Sequence, residues 1–150
     1  MEEESLRAAE YERLIRTILR KRKELGTDIK PTCAPQFMRI AKQTGSDTGR
    51  YTRGCLAGLS YISINPKGDV FPCPYLPLTI GNVRDTPFTE LWKNNDILLK
   101  MRTEEYSGKC GVCDYKSLCG GCRARAYFYD DDYMGEEPWC SYNPVVPIND

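Results

Sequence analysis

The chain has 150 residues, 21 lysines and arginines against 21 aspartates and glutamates, and eight cysteines but no histidine. A formal net charge of zero offers no basic surface for nucleic acid or for an anionic membrane. The missing histidine also excludes Cys2His2 zinc, Rieske ligation and histidine-ligated haem. A chain of this length buries one modest core or part of a larger one.

The acidic start, MEEESLRAAEYERL, lacks the apolar run of a signal peptide, and no later stretch approaches a membrane span. The expected location is cytoplasmic, where thiols stay reduced. Residues 3–25 place Tyr11, Leu14, Ile15, Ile18 and Leu19 on one face of an amphipathic helix, and Gly26 supplies its stop. The basic run from Arg16 to Lys23 lies near the helix end, where cations favour the negative pole of the dipole, and reads as a solvated face. TDIKPTC reads as an extended segment ending at Cys33. A brief second helix follows from Pro35, with Phe37, Ile40 and Ala41 on its apolar side and Gly45 at its end. Residues 45–54, GSDTGRYTRG, have loop composition.

Beyond that loop, residues 59–64 and 69–72 flank the turn sequence NPKG and predict a β-hairpin with Cys55 before it and Cys73 after it. Thr86 caps a predicted helix with Pro87 in its first position and Phe88, Leu91 and Trp92 on its apolar face. DILLKMR adds a further turn or two. From residue 106 onward glycine, cysteine and aromatic residues dominate and periodicity fades. The acidic patch Asp130, Asp131 and Asp132 reads as surface.

The eight thiols are Cys33, Cys55, Cys73, Cys110, Cys113, Cys119, Cys122 and Cys140. A disulfide framework belongs to secreted chains and conflicts with the expected compartment. Two Cys-x-x-Cys pairs suit a four-thiolate zinc site, yet zinc ribbons separate their pairs by about 15–20 residues, and only five separate Cys113 from Cys119. A polynuclear cluster accepts the tighter spacing, because neighbouring cysteines bind different irons and a tight run can serve two clusters. Iron and sulfide therefore lead, with a zinc-stabilised interaction module and a ferredoxin-like carrier acting in trans as the alternatives.

The pattern Cys55, twelve residues, Gly68, four residues, Cys73, then CGVCDYKSLCGGC at 110–122, then Cys140 resembles the SPASM domain. That domain is the C-terminal auxiliary-cluster module of many radical S-adenosylmethionine (SAM) enzymes. The resemblance covers about residues 54–143, with one departure: two residues separate Cys119 from Cys122 where many members have three. The surrounding text, TCAPQFMRIA, RGCLAG, GNVRDTPFTELW, GKCGVCDY, CGGCRARAY and EEPWC, is similar to the alternative haem-pathway branch. Its members include the haem d1 enzyme, the didecarboxysirohaem deacetylase and the iron-coproporphyrin decarboxylase that makes haem. The sequence text ranks the deacetylase and haem d1 members ahead of the decarboxylase.

The resemblance implies two auxiliary [4Fe-4S] clusters. Cys55, Cys73 and Cys122 correspond to ligands of the first, whose fourth place is either filled by Cys33 or left as an open iron, and Cys110, Cys113, Cys119 and Cys140 correspond to the second. Cys33 alternatively faces substrate from the last barrel strand, or is a buried structural cysteine. In the intact enzyme an adenosyl radical would abstract hydrogen from a tetrapyrrole side chain, a carbon–carbon bond would break, and the auxiliary clusters would take up or relay the electron. The Cys-x3-Cys-x2-Cys triplet that binds the SAM cluster is not present in the sequence, so SAM is expected only through a barrel supplied in cis or in trans, and the chain is not expected to be active alone.

The expected architecture is α+β. Residues 1–45 are read as the C-terminal remnant of a radical SAM barrel, its last helix–strand unit with a short helix, and residues 46–53 as a linker. Residues 54–143 form the small cysteine-rich domain, with a hairpin and short helices, and 144–150 are a tail. Arg123 and Arg125 follow Cys122 directly and either offset cluster charge or lie on a helix surface. The glycines of CGGC let backbone approach sulfide and donate N–H bonds to it. Tyr51, Tyr61, Tyr75, Tyr115, Tyr127, Tyr129 and Tyr133 read mostly as packing around the metal-bound loops, with stacking on a porphyrin as the alternative.

Overall fold

A computed structural model of the chain describes residues 6–145. The first residues of the predicted 3–25 helix and the end of the tail lie outside the described residues. Helix α1 spans Ala8–Leu25 and α2 spans Gln36–Thr44, each closed by a left-handed glycine, Gly26 and Gly45. Ile15 and Leu19 of α1 pack on Phe37, Met38, Ile40 and Ala41 of α2 in the first of three small cores. Burying Phe37 and Ile40 completely stabilises this pair by about 1.5–3 kcal/mol per side chain. Leu14 was expected on that face but lies exposed, because the buried stripe is only as wide as the short α2. Arg22 departs from the solvated basic run: it is buried, ion-paired with Asp28 and hydrogen-bonded to Ile29 O at 3.0 Å.

Residues 27–33 form no strand. Pro31 lacks a backbone donor, the segment pairs with no other strand among the described residues, and Cys33 ends it in a turn with φ 54°. The strand expected after the first helix is thus replaced by irregular backbone and a turn.

The sheet has three short antiparallel strands in the order β1 (Ser63–Ile64), β2 (Asp69–Phe71), β3 (Gly81–Asn82), with Ser63 opposite Phe71 and Asp69 opposite Asn82. NPKG makes the expected turn: Asn65 Oδ1 accepts the N–H groups of Lys67 at 2.9 Å and Asp69 at 3.0 Å, and Gly68 takes φ 95°. The hairpin is shorter than expected, and the third strand carries no sequence alternation to announce it.

Helix α3 spans Phe88–Asn94 and α4 spans Asp96–Thr103. Pro87 is the cap residue of α3 and Phe88 its first helical residue, one position later than expected; Thr86 instead donates its backbone N–H to Asn82 O at 3.0 Å. Asn95 caps α4, its Oδ1 accepting Ile97 N–H at 3.0 Å and Leu98 N–H at 3.3 Å while its Nδ2 donates to Ile80 O at 3.0 Å. Asn95→Ala is therefore expected to cost about 1–2 kcal/mol; an unfolding midpoint in urea equal to wild type would contradict the cap. Val70, Ile80, Leu91 and Leu98 form the core beneath this unit.

Three short helices finish the chain: α5 (Gly108–Gly111), α6 (Lys116–Cys119) and α7 (Arg123–Asp130). The third core, Ala57, Leu76, Met101, Tyr106, Ala124 and Met134, packs directly against Cys55, Cys73, Cys110 and Cys122. Seven helices and one antiparallel sheet among the described residues make the architecture α+β.

The N-terminal helices rest on the C-terminal loop. Glu12 accepts hydrogen bonds from Arg39 at 2.7 Å and Ser141 at 2.5 Å, and Tyr11 packs edge-on against Trp139 with ring centroids 5.3 Å apart. Burial opposes ionisation of Glu12, but bonds from Arg39, Ser141 and Arg16 outweigh it and hold the carboxyl at about 2. That contribution to stability is present above pH 4.5 and is lost as pH falls towards 2.

Candidate metal centre

All eight cysteines carry free thiols, and they fall into two neighbourhoods. Cys33, Cys55, Cys73 and Cys122 line one cavity of about 380 Å³. Cys55 and Cys73 flank the hairpin unit, Cys122 precedes α7, and Cys33 arrives from the turn before α2. Burial raises the Cys73 thiol most, and the nearby Cys55 and Cys33 raise it further. Cys33 is exposed, which overturns its reading as a buried structural cysteine. Its left-handed backbone is held by two donors to its carbonyl, Tyr11 Oη at 3.1 Å and Arg125 Nη1 at 3.0 Å.

The second neighbourhood is Cys110, Cys113, Cys119 and Cys140. Burial is the first cause of the raised thiol of each of the first three, and each also lies in the field of Cys140. Backbone donors already point at sulfur here: Glu137 N–H to Cys110 Sγ at 3.3 Å and Tyr115 N–H to Cys113 Sγ at 3.4 Å. Arg39, almost completely buried, approaches Cys140 Sγ at 3.9 Å. Such donors offset the negative charge of thiolates bound to a metal cluster. Among the described residues, no three side chains of cysteine, aspartate or glutamate converge as a single bound ion would require.

The two groups meet at residues 119–122. Gly54 N–H donates to Leu118 O at 2.9 Å and Cys55 N–H to Cys119 O at 3.0 Å, so a member of each group shares one short ladder. Arg53 clasps it, donating to Cys55 O at 3.1 Å and Ser117 O at 2.6 Å while pairing with Glu104 at 2.5 Å. Gly120 and Gly121 turn the chain with φ 73° and 55°, a conformation that other residues adopt only with strain.

Burial pushes the Cys119 thiol up to about 12 and Cys122 up to about 11. Metal binding to these thiols must expel their protons, so loading strengthens as pH rises. In the metal-free chain the sign is opposite. The folded state keeps protons that an unfolded thiol loses near 9.0, so this stability is full below pH 9 and declines towards pH 11 and 12. Urea midpoints of metal-free chain are expected to fall across that alkaline range; midpoints that rise there would contradict the buried, neutral thiols.

Arg123 and Arg125 are not surface residues. Arg123 is 2% exposed, donates to Tyr133 O at 3.2 Å and Gly135 O at 2.8 Å, and stacks over Tyr106 at 4.3 Å. Arg125 forks onto Glu137, with Nε to Oε1 at 2.8 Å and Nη2 to Oε2 at 3.0 Å. Burial opposes the Arg125 charge, but Glu137 outweighs it and keeps the guanidinium protonated. Nothing local in EEPWC singles out Glu137, whose neighbour Glu136 looks identical yet is only half-buried and pairs with Lys109. Of the tyrosines, Tyr51, Tyr61 and Tyr75 line the first cavity, whereas Tyr115 pairs with Tyr142 and Tyr129 Oη accepts from Trp139 Nε1 at 3.3 Å.

Fold and site together define a small α+β domain built around two groups of cysteines rather than around one apolar core. Residues 55–123 match the SPASM family, described as an iron-sulfur cluster-binding domain. The matched segment contains six of the eight cysteines, Cys33 and Cys140 lying outside it. The chain is 41% identical to an AdoMet-dependent heme synthase of Methanosarcina barkeri, over 95% of this chain and 44% of that protein. It is 44% identical to one of Nitratidesulfovibrio vulgaris, over 96% of this chain and 42% of the relative. A pre-heme d1 synthase of Dinoroseobacter shibae is 37% identical over 58% of this chain and 23% of its own length. The chain thus spans less than half the length of these relatives, and the likeness to the heme synthases is the broader one. Among the described residues, no helix is long and apolar enough to cross a membrane.

Proposed function

We propose that the chain is the C-terminal auxiliary-cluster module of a radical SAM enzyme that acts on tetrapyrrole side chains in haem biosynthesis, and that it holds two [4Fe-4S] clusters. The first is held by Cys55, Cys73 and Cys122 with Cys33, and the second by Cys110, Cys113, Cys119 and Cys140. The observation that carries this reading is the single cavity shared by Cys33, Cys55, Cys73 and Cys122. Those residues come from positions 33 to 122 of the chain, and none of them is joined by a disulfide. Clusters bound there would supply one-electron transfer.

The chain's own part is to hold, shield and orient. Backbone N–H groups of Glu137 and Tyr115 stabilise thiolate charge at the second group. Around the first, Tyr61 and Tyr75 stay exposed at the cavity and Lys30 lies over the Tyr51 ring at 5.0 Å. Flat aromatic walls with one ammonium suit a planar ring bearing carboxylates. The greater coverage against the heme synthases favours the haem-making member over the order of resemblance read from the sequence. SAM cleavage belongs to a barrel in cis or in trans, in a cytoplasmic setting.

The test is complementation. A heme synthase relative truncated before the matching region is mixed with this chain, both loaded without oxygen. Restored conversion of the tetrapyrrole supports the module; a chain that loads iron yet restores nothing at any ratio contradicts it and leaves a free carrier.

A further inference from the structure

We propose that Glu137 and Arg125 are positioning residues that hold the two cysteine groups in register and tie the redox behaviour of one site to that of the other. This rests on the two-cluster reading. Glu137 is 1% exposed and touches both groups with different atoms. Its backbone N–H donates to Cys110 Sγ at 3.3 Å, in the second group. Its carboxylate accepts Cys122 N–H at 2.5 Å, in the first group, and Trp139 N–H at 3.1 Å, one residue before Cys140. Both carboxylate oxygens also receive the guanidinium of Arg125. The remaining Arg125 nitrogen, Nη1, donates to the carbonyl of Cys33, and the guanidinium lies over the Trp139 ring at 4.6 Å.

The ion pair therefore reaches Cys33, Cys122 and the Trp139–Cys140 segment, and the backbone of Glu137 reaches Cys110, all far apart in sequence. Paired in this way, Arg125 has its charge balanced by Glu137, and the charge offset expected of it from sequence does not reach the clusters as a free cation. Arg123 has no carboxylate partner among the described residues and lines the first cavity, so it keeps that role. Removing either member of the pair leaves the other charge unbalanced and buried between both groups, where solvent screens it weakly.

Glu137→Gln keeps an acceptor for Cys122 N–H but frees the Arg125 charge. Both clusters should then become easier to reduce, by about tenfold in the reduction equilibrium, or about 59 mV for one electron. Arg125→Gln frees the carboxylate instead and should make both harder to reduce, by a similar factor. The double variant Arg125→Gln with Glu137→Gln restores charge balance, and its potentials should return to within about twofold of wild type in the same constant. The experiment is a redox titration of reconstituted chain followed by electron paramagnetic resonance, which resolves the two clusters, with iron content measured in parallel. The opposite signs of the two single variants keep the test usable if one of them fails to fold. Potentials that stay at the wild-type values, or a shift at one cluster only, overturn the pair's coupling role while leaving the clusters in place. Wild-type chain that takes up no iron overturns the cluster reading and this inference with it.

Discussion

Gly54→Ala is expected to unseat both cysteine groups at once. A Cβ built on Gly54 falls 2.4 Å from Cys119 O, 2.6 Å from Pro35 O and 2.7 Å from Pro35 Cα. All three are backbone atoms, so no flexible side chain can swing away to relieve the clash. Relief requires parting residues 53–55 from 118–119, which breaks the Gly54–Leu118 and Cys55–Cys119 hydrogen bonds. Overpacking of this kind costs about 1–3 kcal/mol, and two lost hydrogen bonds add about 1 kcal/mol each. The total is a large share of the stability of a small domain. The variant is expected to unfold at clearly lower urea and to retain little iron. Wild-type midpoint together with full iron would show that the junction does not seat the sites.

The second large effect separates the groups. Cys55→Ser and Cys140→Ser each remove one proposed ligand, from the first and second site respectively. Each variant is expected to keep about half the wild-type iron, about four per chain, and the electron paramagnetic resonance signals the two variants retain should differ. Loss of all iron from both would indicate one shared site, and full iron in either would remove that cysteine from the ligand set. Cys33→Ser has a milder expectation: the thiol is exposed and the other three cavity cysteines remain, so the first cluster should assemble but lose iron faster under chelator.

How much of this was legible depended on whether a feature leaves a period or a spacing in the chain. Helices α1 and α2 do, through their apolar positions and terminal glycines, and NPKG announces its turn through Asn65 and Gly68. Helix α7 does not. Its buried face is Arg123, Ala124 and Ala126, two small residues and a cation whose partners are carbonyls of a distant loop, so RARAYFYD shows no apolar stripe. Strand β3 is two residues long and is fixed by Asn82 Nδ2 donating to Asp69 Oδ1 at 2.9 Å, a tertiary bond that alternation cannot reveal. The strand expected over residues 27–33 fails for the converse reason: its composition reads as extended, but a strand needs a neighbour.

The site divides in the same way. The cysteines were readable because ligand spacing is a sequence property. Glu137, Arg39 and Arg53 were not readable, since nothing local distinguishes them from the other charged residues of the chain. Their roles arise only when loops distant in sequence are brought together, Arg39 beside Glu12 and Cys140, Arg53 between Cys55 and Ser117. Tyr11 belongs with them: it reads as an apolar helix residue, yet its hydroxyl holds the Cys33 carbonyl.

Metal and acid-labile sulfide analysis, with an absorption spectrum, on chain purified without oxygen tests the central claim most directly. About eight irons per chain with matching sulfide, and a broad visible band that bleaches with dithionite, are the predicted result. A colourless chain with two zincs and no sulfide would contradict it and leave a zinc-stabilised interaction module.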